Sequence, residues 1–331
     1  MESVLNKPTD KISVIIISYN CAEYISEAIE SCLSQSYKNI EIIIGDDGST
    51  DSSNRIIEDY ATMYPNTIKH YVMSRPHDES DIIPSIRVSA NIRQAVKYAT
   101  GRYICLLSAD DYYMDDLLFE KEMYFLKKNN DYVSVACGYR KQWPNGKYEE
   151  MIHRGRISTL FWSGGYLHIS CFLIKANVFH SKNFLPRLCD DTGMLYTIIA
   201  SGKCKCLPFV GMVYRQREGS IMHKADRIEL DLLELLLYQD IQNVGALPFS
   251  SMSRFARPIN YIFSHRKELN KPQYKKYLKE TSRLDKSIIK DIINYEKSTI
   301  VSKTQMIFFC GMCRILGLVT GLIRRINNHV I

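Results

Sequence analysis

Tyr103-Ile104-Cys105-Leu106-Leu107-Ser108-Ala109-Asp110-Asp111 carries five apolar or aromatic residues into two adjacent carboxylates. The run reads as a buried strand, and ionised groups at its end need a partner or water before they can be sheltered. A bound cation would meet that need. A hard metal carrying substrate phosphates uses only one or two protein carboxylates and completes its shell with phosphate and water. On these residues alone a second reading stays open, in which Asp110 caps a helix over 115–129 and Asp111 is merely solvated.

Upstream, Ile12-Ser13-Val14-Ile15-Ile16-Ile17 is a β-branched run suited to a parallel strand covered on both faces, and it ends at Ser18-Tyr19-Asn20. Residues 22–36 then place Ile25, Ala28, Ile29, Cys32 and Leu33 at helical spacing. A second run over 40–44 stops at Gly45-Asp46-Asp47-Gly48-Ser49-Thr50-Asp51, where Thr50 or Asp51 can cap the next helix. Residues 68–73 supply a third strand, and 85–99 a helix containing Arg87, with Gly101 as its stop. Strands alternating with helices predict right-handed crossovers and an α/β, doubly wound, mostly parallel sheet flanked by helices. Ligands of such sheets bind beyond the carboxyl ends of the strands, where these acidic clusters fall.

Downstream the pattern changes. Residues 132–138 and 206–213 are strand-like, and Trp143-Pro144-Asn145-Gly146-Lys147 is a hairpin turn in which Asn-Gly suits two central residues of positive φ. Gly164 and Gly165 precede His168 in a loop before an apolar strand at 171–174. Asp190-Asp191 opens a helix to about 201, and 214–220 is a polar loop. Beyond 225 only helices are expected: an apolar one at 228–241, a long basic one at 271–296, and an apolar one at 306–323 interrupted by Arg314.

A chain of 331 residues, 46% hydrophobic and 24% charged, has ample length for a core and no signature of disorder. Ten cysteines with no CxxC set against a histidine pair point to reduced thiols rather than a disulfide framework or zinc site. The net charge of +7 is uneven: from His265 onward 14 Lys and Arg stand against 5 Asp and Glu. An anionic membrane surface fits that tail better than nucleic acid, with the 306–323 helix lying in the interface or packed on the domain rather than spanning. Residues 1–8 lack the basic-then-apolar pattern of a secretory signal. The expected location is the cytoplasm, peripheral to the inner face of the cytoplasmic membrane.

Taken together, Ser18-Tyr19-Asn20, Asp46-Asp47-Gly48-Ser49-Thr50-Asp51, Arg87, Ser108-Ala109-Asp110-Asp111 and Asp190-Asp191 resemble the family 2 glycosyltransferases, which have the nucleotide-diphospho-sugar transferase (GT-A) fold. The resemblance covers roughly residues 11–222. It implies a catalytic domain over 1–225, with a nucleotide-sugar half at about 11–111 and an acceptor half at about 112–225, followed by a basic helical region over 226–331. It also implies a divalent cofactor, Mn²⁺ or Mg²⁺, bound directly by Asp111, with Asp110 reaching the ribose and the metal shell. Where the family often has a further Asp, this chain has Ser108, which lies in the same pocket. Asp46 would accept a hydrogen bond from the imide of a uracil or thymine base, or else brace a tight turn. Tyr19 would flank the base, and Ile17, Ser18, Asn20 and Asp47 would line the pocket. Arg87 would donate to base or phosphate, or form a surface ion pair. Asp191 would be the catalytic base, with Asp190 in place of the usual Glu beside the acceptor, and an N-cap is the alternative for this pair. His168 would line the acceptor pocket, and His223 would be a third metal ligand or simply exposed.

The function so implied is inverting transfer of a sugar from a nucleotide-diphospho-sugar, with UDP favoured, to a hydroxyl of a saccharide or lipid-linked acceptor in surface polysaccharide synthesis. Two alternatives are a nucleotidyltransferase that makes nucleotide sugars and an inactive sugar-nucleotide-binding module. The first normally needs a glycine-rich basic loop after the opening strand, and residues 18–22 contain no glycine.

Overall fold

The computed structural model describes residues 10–75, 82–162, 164–165, 167–217, 225–245, 252–282 and Ile292. They run β1 (Ile12–Ser18), α1 (Ile25–Leu33), β2 (Ile40–Asp46), α2 (Ser53–Met63), β3 (Ile68–Val72), α3 (Pro84–Val96), β4 (Tyr103–Ser108), β5 (Tyr112–Tyr113) and α4 (Leu118–Lys128). Then follow β6 (Tyr132–Gln142), β7 (Tyr148–Met151), α5 (Ile157–Trp162), β8 (Phe172–Lys175), α6 (Asp191–Ser201), β9 (Lys203–Arg215), α7 (Arg227–Val244), α8 (Met252–Ser264) and α9 (Lys275–Ser282).

The strands form one sheet in the order β3-β2-β1-β4-β8-β6-β9-β5, with β7 paired to β6. Its first four members are parallel. Ile12, Val14, Ile15 and Ile16 of β1, Ile42, Ile43 and Ile44 of β2, and Ile104, Leu106 and Leu107 of β4 are at most 1% exposed, so these runs are apolar on both faces. Ser18 pairs in register with Asp46, and Ile17 with Ser108. Three neighbouring strands therefore finish together where strand order reverses, the place where such sheets bind ligands.

The second half departs from a simple strand–helix alternation. β8 is antiparallel to both β4 and β6, β6 and β9 are parallel, and the two-residue β5 pairs antiparallel with β9 just after the acidic pair. β9 has 13 residues, longer than the expected 206–213, and its extension carries Arg215 to the edge where β4 ends. The Trp143–Lys147 turn is closed by a 2.9 Å bond from the Trp143 amide to the Lys147 carbonyl. Gly146 alone takes a positive φ, +79°, so this is a longer turn with one left-handed residue.

α7 starts with a reciprocal cap between Asp226 and Glu229 and buries Leu232, Leu235 and Leu236. Arg187 pairs with Asp240 of α7, and Arg254 of α8 with Glu234. The basic helix expected from 271 begins instead at Lys275, after a 3-10 turn opened by Pro272, which has no amide hydrogen to donate. Its continuation past 282 and the apolar 306–323 stretch lie outside the described residues. Among the described residues no helix is long and apolar enough to cross a membrane.

Candidate active site

At the end of β1 the chain turns through Asn20, whose φ of +49° lies in the left-handed region that Asn tolerates. Its amide donates to Ser49 Oγ at 2.9 Å, and its Oδ1 accepts from the Thr50 amide at 2.8 Å. The loops after β1 and β2 are thus joined. Ser18 Oγ is buried with no hydrogen-bond partner among the described residues. Ile17 is partly buried, and its carbonyl accepts from the Ala109 amide at 2.9 Å.

Asp46 is 1% exposed, and its two oxygens accept from the Ser49 amide at 2.7 Å and Ser49 Oγ at 2.5 Å. This geometry is that of the turn brace. Asp47 is the carboxylate turned toward cations: it pairs with Arg75 Nη1 at 2.5 Å and with the Arg87 guanidinium. Arg75 in turn lies 3.8 Å over the Tyr19 ring.

Asp110 and Asp111 do not cap α4, whose N-cap is Leu117. Asp110 Oδ2 accepts from Arg217 Nε at 2.7 Å. Asp111 is fully buried, and its Oδ1 accepts from the Arg215 amide at 3.0 Å. Its Oδ2 is buried without a hydrogen-bond partner among the described residues and lies 3.5 Å from His168 Nε2. Burial, and after it the charge of Asp110, push the Asp111 carboxyl well above the usual carboxylate range. A divalent ion fits this donor set, because an orphaned carboxylate oxygen beside a second carboxylate is what such an ion would satisfy, with diphosphate and water supplying the other ligands. Among the described residues no group of three or more His, Cys, Asp or Glu is arranged to hold a metal. His223 lies outside them. Ser108 is partly buried, and its amide donates to Ser170 Oγ at 3.3 Å.

His168 is 4% exposed and sits beside Asp111. Its ring lies 4.4 Å from that of Tyr214. Nδ1 accepts from the Ser170 amide at 3.3 Å, so a neutral ring carries its proton on the nitrogen facing Asp111.

Asp190 caps α6, its Oδ1 accepting from the Gly193 amide at 3.2 Å. Burial, and then the neighbouring Asp191, push its carboxyl up to about 6. Asp191 occupies the first turn, where the helix dipole favours an anion. Its Oδ1 accepts from the Ile169 amide at 2.7 Å, and its charge is among those felt by Asp111. The cap belongs to Asp190, and Asp191 is the member of the pair that bears on the acidic site.

Three arginines that sequence spacing does not single out also stand here: Arg75, Arg215 and Arg217. Arg215 pairs with Glu27, donates to the Asp110 carbonyl at 2.9 Å, and lies 4.5 Å over Tyr112.

A sheet of this order, with an acidic pair just past the β4 end and further carboxylates at β2 and α6, is of the GT-A type. The chain belongs to glycosyl transferase family 2, whose family model matches residues 13–184. EpsE of Bacillus subtilis (strain 168), named as a glycosyltransferase, is 39% identical over 128 residues, which are 39% of this chain and 42% of EpsE. The chain thus spans less than half the length of that relative. WfaP of Escherichia coli, a UDP-Glc:α-D-GlcNAc-diphosphoundecaprenol β-1,3-glucosyltransferase, is 30% identical over 223 residues, 63% of this chain and 79% of WfaP. Among solved structures, S. aureus TarS in complex with UDP-GlcNAc superposes with a TM-score of 0.58 at 18% identity, over 86% of this chain and 83% of that one. The mannosyltransferase PcManGT of Pyrobaculum calidifontis, in complex with GDP-Man and Mn²⁺, gives 0.53 at 14% identity, over 96% and 88%. Both likenesses concern the fold.

Proposed function

We propose that the chain is an inverting glycosyltransferase that moves a sugar from a nucleotide-diphospho-sugar, with UDP as the favoured nucleotide, to a hydroxyl of a saccharide or lipid-linked acceptor in surface polysaccharide synthesis. The observation that carries this reading is the buried, unpartnered Asp111 Oδ2 beside Asp110, set at the strand ends with Asp191 within electrostatic reach. The acceptor class follows WfaP, which by its name acts on a lipid diphosphate sugar. The cationic sequence from 265 onward supports an anionic membrane surface as the place of work.

In this reading Tyr19, Asn20, Asp47 and Arg87 line the nucleotide half, along with Ile17, Ser18 and Ser108, while Asp46 holds the turn that presents Asp47. Asp110 and Asp111 hold the divalent ion, which when bound stabilises negative charge on the diphosphate leaving group. Asp191 accepts the acceptor hydroxyl proton as that oxygen bonds to the anomeric carbon. The bond from that carbon to the diphosphate breaks on the opposite face, its electron pair leaves with the nucleoside diphosphate, and the configuration inverts. Asp190 keeps α6 capped and Asp191 in place.

Incubation with Mn²⁺, a panel of nucleotide sugars and a lipid-linked saccharide tests the reading. Free nucleoside diphosphate together with glycosylated acceptor is expected. Pyrophosphate release would mark a nucleotidyltransferase, and donor binding without turnover an inactive binding module.

A further inference from the structure

The acidic pair carries its own counter-charge. Arg217 Nε donates to Asp110 Oδ2 at 2.7 Å, and its Nη2 reaches Cys21 Sγ at 3.6 Å in the loop after β1. The side chains of Arg217 and Asp110 are 27% and 20% exposed, so the pair is only partly screened by water. Asp111 is treated differently: its Oδ1 is bonded to the Arg215 amide, its Oδ2 to nothing among the described residues. One carboxylate is therefore paired with a guanidinium, and the other keeps one oxygen without a hydrogen bond among the described residues, 3.5 Å from His168 Nε2. A divalent ion that uses both must share Asp110 with Arg217 or displace it.

We propose that Arg217 is a resident cation that guards Asp110 until donor arrives and then moves its guanidinium onto the donor diphosphate. The inference rests on the glycosyltransferase reading above. A diphosphate carries more negative charge than one carboxylate, and its oxygens match the planar fork of a guanidinium. It draws Arg217 off Asp110, frees that carboxylate for the metal, and gains a second positive charge beside the leaving group. Metal and donor then bind with positive coupling, which is reciprocal by thermodynamic linkage. Arg215 cannot take this part, because its guanidinium is held by Glu27 and stacked on Tyr112.

The test titrates Mn²⁺ by electron paramagnetic resonance into the full chain and into Arg217→Gln and Arg217→Lys, alone and with UDP or UMP. Wild type is expected to bind Mn²⁺ weakly alone and more tightly with UDP. Without nucleotide, Arg217→Gln should bind Mn²⁺ more tightly, on the order of tenfold, because an opposing positive charge next to the ligand is gone. The same variant should lose affinity for UDP while keeping that for UMP, which lacks the second phosphate. Arg217→Lys should fall between, since it keeps the charge and loses the fork. Circular dichroism checks that the variants are folded. Equal nucleotide-free Mn²⁺ affinity in folded wild type and Arg217→Gln would overturn the proposal, whatever the catalytic activity. If neither nucleotide binds, the glycosyltransferase reading fails instead, and the nucleotide-free Mn²⁺ comparison still reads the Arg217–Asp110 competition.

Discussion

Asp191 and Asp190 are adjacent carboxylates with different work, and the difference lies in which backbone amide each one meets. Asp190 accepts from Gly193 inside its own helix, whereas Asp191 accepts from Ile169 across the chain. Replacing Asp191 with Asn keeps an oxygen for the Ile169 amide but removes the proton acceptor. We expect Asp191→Asn to keep donor binding and thermal stability and to lose about 10²–10⁴ in kcat, read as nucleoside diphosphate release with a donor thermal-shift control. Unchanged turnover would remove Asp191 from the base role. At this scale the sequence is legible in kind but not in direction. Asp46-Asp47 stands out as a site, yet which carboxylate turns inward is decided by turn dihedrals that bring Ser49 onto Asp46 and leave Asp47 to Arg75 and Arg87. Arg217 is hidden for another reason. Its meeting with Asp110 depends on the pairing of β5 with β9, a long-range register that no local spacing reports.

β1, β2 and β4 are legible because their runs are apolar on both faces, and the buried Glu41 near the start of β2 is an exception that ties them together. Glu41 is 2% exposed and accepts from Ser13 Oγ at 2.6 Å, the Thr100 amide at 2.6 Å and Thr100 Oγ1 at 2.8 Å, with Lys11 Nζ at 3.2 Å. Burial alone would raise its pKa, but the hydrogen bonds from Ser13, Thr100 and Lys11 outweigh it and hold the carboxyl at about 2, against an ordinary 4.5. A folded-state pKa below the unfolded one contributes stability above the unfolded value, and that stability is lost as pH falls through the folded value. Glu41 therefore stabilises the fold at neutral pH, and its contribution drains away between about pH 4.5 and pH 2. Glu41→Gln should cost roughly 2 kcal/mol at pH 7, less than the full shift implies because Lys11 and Lys69 reach it from solvent. Urea unfolding at pH 7, 4 and 3 checks this: the gap between the two proteins should narrow as acid is added, and a constant gap refutes the assignment. Strands β5 and β9 are harder to bound from sequence. β5 is two residues long and ends the sheet order, and β9 mixes buried and exposed positions along its length, so their ends carry no abrupt change in composition.

The packing of the C-terminal helices is least legible, because an apolar helix face announces that it is covered without saying by what. α7 and α8 cover each other, as where the Tyr238 and Phe255 rings meet, and Arg254 joins them to the rest of the fold. Its side chain is 3% exposed, pairs with Glu234 of α7, donates to the carbonyls of Phe161 at 2.9 Å and Gly165 at 3.1 Å, and lies 4.5 Å over the Phe161 ring. One guanidinium thus joins α7 and α8 to the segment that leads from α5 to His168, and His168 faces Asp111. α3 makes a second link between the halves of the molecule: Arg87 reaches Asp47, while Ser89 Oγ accepts from the Cys189 amide at 2.8 Å, next to Asp190. Side chains of α3 thus tie the loop after β2 to the segment just before Asp190, as Arg254 ties α7 and α8 to the segment before His168. Arg254→Ala leaves two carbonyls without their donor, and we expect a stability loss of about 2–3 kcal/mol. Glu234, 29% exposed, can return to water, so the cost stays below that of stranding a buried charge. Arg254→Lys should recover only part, because an ammonium cannot span both carbonyls and Glu234 in one planar fork. Amide hydrogen exchange should quicken over 157–171 in Arg254→Ala while β1 and β2 stay protected, since β1 and β2 do not depend on this contact. Unchanged melting and unchanged exchange over 157–171 would mean that the C-terminal helices cover the sheet without shaping the segment that leads to His168.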